Sequence, residues 1–376
     1  MDQSISFESS FNNTTVYANQ TLDLPPYIFW YVTIANAVIF LMGVTGNIFV
    51  LIVITTNKTM RTHMNILLCS LSVADLLVLL ICQPAGMIEF YGKDRWFLGE
   101  SLCKLIPFLE NTSLNSSVIT MWVISCERFQ AICRAMRNNT CIGTIAAGKS
   151  IICIWCAASI ISLPFVFLTN IEPARFYDGT PVTVCRTKIE TALHQLYVVL
   201  IFTICFVLPL IVLTVMYCSI LRTIYLTQRL DENRPSRYRK QIICMIIAII
   251  VLFYISLFPI RIISLWLVFE SPDSIERLGL ENFTNLVCIA RMLVNLNSAG
   301  NPVIYGLVSS RFRSAFKGIF KKCFCFRTER SLPEKVYSRA YANYNEHNNL
   351  FHNGCCCHNC NSDPEPPEVD MICLRN

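Results

Sequence analysis

Seven long blocks of apolar residues, separated by short polar segments, dominate the pattern of this chain. They lie near residues 28–56, 64–91, 100–134, 150–169, 194–226, 238–269 and 285–308. Each block reaches about 20 residues or more, the length that an α-helix needs to cross the hydrocarbon core of a bilayer. In lipid only helices or closed barrels satisfy the backbone hydrogen bonds, and the alternation of barrel strands is not seen. The pattern predicts an all-α membrane protein, a seven-transmembrane helix bundle.

A shorter apolar pattern follows the seventh block. Four apolar side chains fall on one side of a helix that is otherwise basic: Phe312, Phe316, Ile319 and Phe320. This predicts a short amphipathic eighth helix lying on the inner leaflet. Cys323 and Cys325 come directly afterwards and are predicted palmitoylation sites.

Composition and charge give the bundle an orientation. Only 15% of the residues are charged, against about a quarter in soluble proteins. The Lys and Arg residues concentrate in the loops after the odd-numbered blocks, whereas residues 1–27 contain none. The positive-inside rule therefore predicts an extracellular amino terminus and a cytosolic tail in the plasma membrane. No basic face suited to nucleic acid is found.

Four Asn-x-Thr triplets agree with this orientation: those that begin at Asn12, Asn13, Asn19 and Asn282. They are predicted N-glycosylation sites because they fall in outer segments. The expected organisation is a glycosylated arm (1–27), the bundle (28–308), the amphipathic helix with its acylation site (309–326) and a disordered cytoplasmic tail (327–376).

Polar residues inside membrane helices are candidates for function, and here they occur in a recognisable order. The series contains Asn47, Leu71-Ser72-Val73-Ala74-Asp75, Cys126-Glu127-Arg128-Phe129, Trp155, Pro209, Tyr217, Phe253, Pro259 and Asn301-Pro302-Val303-Ile304-Tyr305. Together these motifs resemble the rhodopsin-like family of G-protein-coupled receptors over residues 28–326. Pro107-Phe108-Leu109-Glu110, Arg261 and Arg291 are similar to the peptide-receptor group that includes thyrotropin-releasing-hormone, ghrelin, neuromedin U and ecdysis-triggering-hormone receptors.

The resemblance implies a set of activation residues: Glu127, Arg128, Tyr217, Phe253, Pro259, Asn301, Pro302 and Tyr305. Arg128 would pair with Glu127 at rest and turn towards Tyr217 and the G protein on activation. Arg128 and Met136 are the expected G-protein contacts. The start of the sixth helix has no acid, so we expect a looser resting state, and Leu257 replaces the family's usual aromatic residue.

The resemblance also implies a sodium site at the centre of the bundle, formed by Asp75, Ser117, Asn297 and Asn301. The alternative is a hydrogen bond between Asp75 and Asn301 without an ion. No other cofactor is expected. Cys103 and Cys185 both face the oxidising side and are expected to form a disulfide.

The predicted ligand pocket contains residues of both charges: Gln83, Glu89, Glu110, Asn111, Asn115, Arg261 and Arg291. Glu110, Ser117 and Arg128 lie within about 20° of one helix face, at about 100° per residue, so one stripe spans the membrane. Both signs of charge suit a peptide with a charged side chain and a polar, amidated end. The alternative is that Glu110 simply pairs with Arg261 or Arg291.

These observations predict a receptor for an extracellular neuropeptide or peptide hormone that acts through a heterotrimeric G protein of the Gq type, with arrestin and membrane lipid as further partners. The alternatives are a receptor for an acidic lipid or other small molecule, and a constitutively active receptor. An opsin is disfavoured because Asn295 stands where a Schiff-base lysine is needed. The chain lacks the internal repeats of a transporter and the catalytic groups of an enzyme.

Overall fold

The computed structural model describes residues 25–133, 144–175, 181–189, 191–230, 237–269 and 277–318. Seven long helical segments run through these ranges. They are α1 (Pro26–Thr56), α2 (His63–Leu77, a π-helical turn at Val78–Cys82, and Gln83–Tyr91), α3 (Gly99–Cys133), α4 (Thr144–Ser162 and Pro164–Leu168), α5 (Ala192–Phe202, a π-helical turn at Thr203–Val207, and Leu208–Leu230), α6 (Arg237–Phe269) and α7 (Leu280–Val308). The expected seven-helix bundle is therefore present.

α3 and α7 are less apolar than the other five helices, and they contain several of the predicted ligand, sodium-site and activation residues. By length and composition, α1, α2, α4, α5 and α6 could each cross a membrane. Buried polar residues interrupt α3, including Asn115 and Ser117, and α7, including Asn297 and Asn301. The bundle shields these side chains from lipid, while isoleucines such as Ile152 and Ile160 remain exposed on its outside.

The helices are arranged so that α3 and α7 contact several neighbours. α7 packs most extensively against α6 and α1, and α3 packs against α4, α5 and α2. Gly46 allows a close approach of α1 to α7, because a Cβ at this position would lie 2.7 Å from the Cβ of Pro302. One turn of α1 is thereby close enough for the Asn47 side chain to donate to the Ser298 carbonyl of α7 at 3.0 Å.

The loop between α4 and α5 contains a β-hairpin that the sequence pattern did not predict. β1 (Thr169–Arg175) pairs antiparallel with β2 (Pro181–Thr187), and Ile171 lies opposite Cys185. The ends of α4 also differ from the predicted block, since the helix begins at Thr144 and is interrupted at Leu163, before Pro164. Proline cannot donate a backbone hydrogen bond, which explains the interruption.

A further helical segment covers residues 310–318 and is called α8 here. Phe312 is almost fully buried and stacks on Tyr305 of α7 at a ring-centroid distance of 5.4 Å. Phe316 packs beside Phe312 and edge-on against Phe49 of α1. Part of the apolar side expected for the amphipathic helix, namely Phe312 and Phe316, thus packs against α1 and α7. Cys323, Cys325 and the tail lie outside the described residues.

Candidate receptor site: outer pocket, polar core and cytoplasmic switch

The end of α3 that is predicted to face outward, called the outer end here, is tied to the β-hairpin. A disulfide joins Cys103, in the first turns of α3, to Cys185 of β2, as expected from the sequence. The Trp96 backbone N–H donates to the Thr183 carbonyl at 2.8 Å, and its indole N–H donates to the Gly99 carbonyl at 2.7 Å. These links hold the hairpin against the helix that carries Glu110. Asn282 is exposed near the start of α7, whereas Asn12, Asn13 and Asn19 lie outside the described residues.

Four of the predicted pocket residues form a group of charges at the outer end of the bundle. The Arg291 guanidinium lies 3.5 Å from the Glu89 carboxylate. Glu110 lies within electrostatic range of Glu89, Arg291 and Arg261. The Arg291 side chain is 57% exposed while that of Glu89 is 23% exposed. Arg291 can therefore meet a ligand without first leaving a buried pair.

The three amides of the predicted pocket have partners within the bundle. Gln83 is buried and donates to the backbone carbonyl and the side-chain oxygen of Asn36, each at 3.0 Å. Asn115 is buried and donates to Ser162 of α4 at 3.0 Å. Asn111 donates to the Pro107 carbonyl one turn earlier. Gln83 and Asn115 thus face helix interfaces rather than the charged group, and their role in ligand binding stays a prediction.

Asn36 of α1 joins three helices and was missed by the sequence reasoning. Its side-chain oxygen accepts hydrogen bonds from Gln83 of α2 and from Asn295 of α7, the latter at 3.1 Å. Asn36 itself is only 6% exposed. The available signal was an amide inside an otherwise apolar membrane helix, which is costly unless it is paired. The motif pattern drew attention to Asn47 instead.

The centre of the bundle contains the predicted sodium ligands. Asn301 donates to the Asp75 carboxylate at 2.9 Å, and Ser298 lies within hydrogen-bonding reach of the same group. The side-chain oxygens of Asn297 and Asn301 are buried without a partner among the described residues. Ser117 donates to the Ser113 carbonyl.

A buried carboxylate beside unpartnered amide oxygens fits a small hard cation, and the hydrogen bond fits the alternative. The sodium site stays a prediction. The two alternatives are distinguished by measuring agonist affinity in sodium and in choline buffers. A lower affinity in sodium supports the ion, and equal affinities support the hydrogen bond alone.

The end of α3 that is predicted to face the cytoplasm contains the expected pair of Glu127 and Arg128 and one further contact. Glu127 contacts His63 through its Oε1 atom, and its Oε2 atom lies 3.9 Å from the Arg128 guanidinium. Arg128 Nε and both ring nitrogens of His63 are buried with no hydrogen-bond partner among the described residues, so the His63 contact lacks hydrogen-bond geometry. The expected pair of Glu127 and Arg128 is therefore loose, and His63 is the nearer partner. Sequence reasoning missed His63 because no family motif includes it.

The other activation residues lie at the packed centre and inner end of the bundle. The Tyr217 hydroxyl is 3.1 Å from that of Ser125, one turn before Arg128. Phe253 and Leu257 are buried on α6, which contains Pro259. Tyr305 is fully buried beyond Pro302 of α7.

A cavity opens at the inner end of the bundle between α2, α3, α6 and the start of α8. Arg128, His63, Met245 and Phe312 are among the residues that line it. The predicted G-protein contact Arg128 therefore borders a cavity, as docking of a partner requires. Met136, the other predicted contact, lies outside the described residues.

The chain matches the model of the rhodopsin family of seven-transmembrane receptors over residues 46–305. It belongs to this family, which makes it a multi-pass membrane receptor rather than an enzyme.

Its similar relatives are receptors for peptides. It is 31% identical to the thyrotropin-releasing hormone receptor of Gallus gallus, over 81% of this chain and 80% of that protein. It is 26% identical to the QRFP-like peptide receptor of Branchiostoma floridae, over 80% and 78% respectively. The pyroglutamylated RF-amide peptide receptor of Rattus norvegicus is also 26% identical, over 80% and 72%. The thyrotropin-releasing-hormone resemblance is thus confirmed, and RF-amide receptors are added to it.

Proposed function

We propose that this chain is a plasma-membrane receptor for an extracellular, amidated neuropeptide or peptide hormone, and that it promotes nucleotide exchange on a Gq-type G protein. The observation that carries the proposal is the charged group at the outer end of the bundle. Arg291 is exposed and only loosely held by Glu89, while Glu110 lies close enough to influence both arginines. The peptide-receptor names of the relatives support the ligand class.

The two signs of charge define what the pocket would recognise. An exposed guanidinium presents several N–H donors in a fixed plane and suits carbonyl or carboxylate oxygens, including those at the end of a peptide. Glu110 and Glu89 would accept hydrogen bonds from a basic side chain. A peptide that carries both features would satisfy the two halves of the group at once.

The proposal is tested by a calcium-mobilisation screen against amidated neuropeptides, with an extracellular epitope tag to measure surface expression. For an active peptide we expect Arg291→Ala and Glu110→Gln each to raise the EC50 about 10- to 100-fold, since a charge-assisted hydrogen bond contributes about 1.5–3 kcal/mol. A Gq-selective inhibitor should abolish the response.

Two matched variants serve as controls. Glu100→Gln makes the same chemical change on the same helix, at an exposed acid paired with Lys104, and should leave the EC50 unchanged. Arg291→Lys retains the charge but loses the planar fork, so it should give an intermediate EC50. Identical responses of wild type, Arg291→Ala and Glu110→Gln would refute the pocket assignment.

A second candidate is a receptor for an acidic lipid, which the accessible Arg291 could hold by its carboxylate. This reading predicts that Arg291→Ala abolishes the response while Glu110→Gln preserves or improves it, because the acid would repel the ligand. Testing fatty acids beside the peptides in the same cells distinguishes the two ligand classes.

A further inference from the structure

We infer that His63 is a positioning residue of the cytoplasmic switch: by holding the Glu127 carboxylate, it keeps that group from pairing closely with Arg128. The inference rests on the proposed receptor function and adds to it a residue that controls the resting state. It concerns three side chains at the inner ends of α2 and α3.

The geometry shows that His63 and Arg128 share one carboxylate. His63 Nδ1 contacts Oε1 of Glu127, and Arg128 Nη2 is 3.9 Å from Oε2. A charge-assisted hydrogen bond between such groups is about 2.7–2.9 Å long, so Arg128 is not in one with Glu127. Both ring nitrogens of His63 are buried without a hydrogen-bond partner among the described residues, so the contact is an ion-pair contact that lacks hydrogen-bond geometry. His63 therefore occupies the Oε1 side of the carboxylate by direct contact, and a protonated imidazole would add the attraction of opposite charge.

The turn that begins α2 orders the backbone on either side of His63. The Thr62 hydroxyl accepts a hydrogen bond from the Asn65 backbone N–H at 3.3 Å, as the N-cap of the helix. The Asn65 side chain donates to the Met60 carbonyl at 2.7 Å. The His63 and Glu127 side chains are only 9% and 13% exposed. A shielded imidazole can therefore compete for the carboxylate with the longer Arg128 side chain, which is 28% exposed.

The cytoplasmic end of α6 offers Arg128 no replacement. Within the part of the chain that the structure describes, Glu127 supplies the one carboxylate found within 4 Å of Arg128. Residues 237–240 of α6 contain no acid. Gln241 instead accepts a hydrogen bond from the Ser310 hydroxyl at 2.8 Å, which links α6 to α8 without involving α3. How closely Arg128 pairs with Glu127 thus depends mainly on whether His63 also contacts the carboxylate.

Removal of the imidazole should therefore bring the Glu127 carboxylate closer to Arg128. In His63→Ala, Oε1 of Glu127 loses its partner, and the carboxylate can turn fully towards Arg128. A closer pair stabilises the resting arrangement, so the population with α6 swung outward should fall. If His63 only packed α2 against α3, its removal would loosen the inner end and raise that population. The two readings predict opposite signs.

The test is a distance measurement on the full-length receptor in nanodiscs, without peptide or G protein. Spin labels on genetically encoded amino acids at Lys58 and Lys240 report the distance between the inner ends of α1 and α6 and avoid the 20 cysteines. We expect His63→Ala to reduce the long-distance population about two- to fivefold, the effect of a partly exposed ion pair. His63→Gln, which keeps a polar side chain against the carboxylate but loses the ring, should lie between wild type and His63→Ala. In a Glu127→Gln background, His63→Ala should have no further effect.

Met64→Ala is the matched control, because it removes a buried side chain from the same turn without removing a partner of Glu127. It should lower the melting temperature without favouring the short distance. The inference is overturned if His63→Ala leaves the distances unchanged or lengthens them, if its effect persists with Glu127→Gln, or if wild type shows no long-distance population. Because the measurement needs no ligand, its failure is distinct from failure of the peptide screen.

Discussion

At the residue scale, the polar side chains of the helices divide into those that hold helices together and those that remain available. Gln83 and Asn115 belong to the first group, since each has a partner on a neighbouring helix. Arg291 and Arg128 belong to the second, because their carboxylate partners are 3.5 Å and 3.9 Å away. The available cations lie at opposite ends of the bundle, one near the proposed ligand and one near the proposed G protein.

Asn36 provides a test of the first group. Asn36→Leu leaves the Gln83 and Asn295 amides without their shared acceptor, so we expect it to lower the free energy of unfolding by about 1–3 kcal/mol. The melting temperature of detergent-solubilised receptor measures this.

A second substitution should compensate. In Asn36→Leu with Gln83→Met, two of the three polar groups are replaced by apolar ones of similar shape, and much of the stability should return. Gln83→Met alone should also leave the peptide EC50 nearly unchanged if Gln83 acts only between helices. A loss of affinity without a loss of stability would instead restore Gln83 as a ligand contact.

At the element scale, the apolar blocks located the seven helices but not their irregularities. α1, α2, α3 and α6 begin and end within about two residues of their predicted blocks, because apolar length determines a membrane crossing. The π-helical turns in α2 and α5 and the β-hairpin left no comparable signal. The β-hairpin depends on contacts between distant segments, such as the Cys103–Cys185 disulfide.

Close packing of α1 on α7 gives a prediction for two glycines. A Cβ at Gly46 would meet the rigid ring of Pro302, whereas one at Gly300 would meet the movable end of the Leu252 side chain. Gly46→Ala should therefore destabilise the receptor by about 1–3 kcal/mol, the cost of overpacking. Gly300→Ala should be close to neutral, because alanine favours helix by about 1 kcal/mol over glycine.

Thermal unfolding of the two glycine variants side by side is the measurement. Equal melting temperatures for Gly46→Ala and Gly300→Ala would show that α1 can move away from Pro302 at little cost. The close approach would then not be a constraint on the bundle.

At the scale of the whole molecule, a disulfide crosslinks the outer end, whereas weaker noncovalent contacts hold the inner end. The disulfide joins residues separated by 82 positions and holds the β-hairpin against α3. At the inner end the contacts between helices include the shared Glu127 and the Gln241–Ser310 hydrogen bond. This difference suits a receptor whose pocket keeps its shape while its cytoplasmic side rearranges.

Loss of the disulfide should affect the outer end most. Cys185→Ser should reduce surface expression and peptide binding, since removing a native disulfide typically costs about 2–5 kcal/mol. Cys153→Ser, at an exposed free thiol on α4, is the control and should behave as wild type. Normal surface expression and peptide affinity of Cys185→Ser would contradict the proposed role of the disulfide.

The sequence by itself determined the class of fold, the order of the helices and the residues that could be costly in a membrane, because apolar length and isolated polar groups are local properties of the chain. The family comparison confirmed the receptor class that these residues implied. Only the tertiary structure decided which polar groups contact one another. Asn36 with Gln83, and His63 with Glu127, lie 47 and 64 residues apart, and no helical period relates positions on different helices. Partner choice depends on how the helices pack, and that choice separates Gln83, held within the bundle, from Arg291, which is accessible.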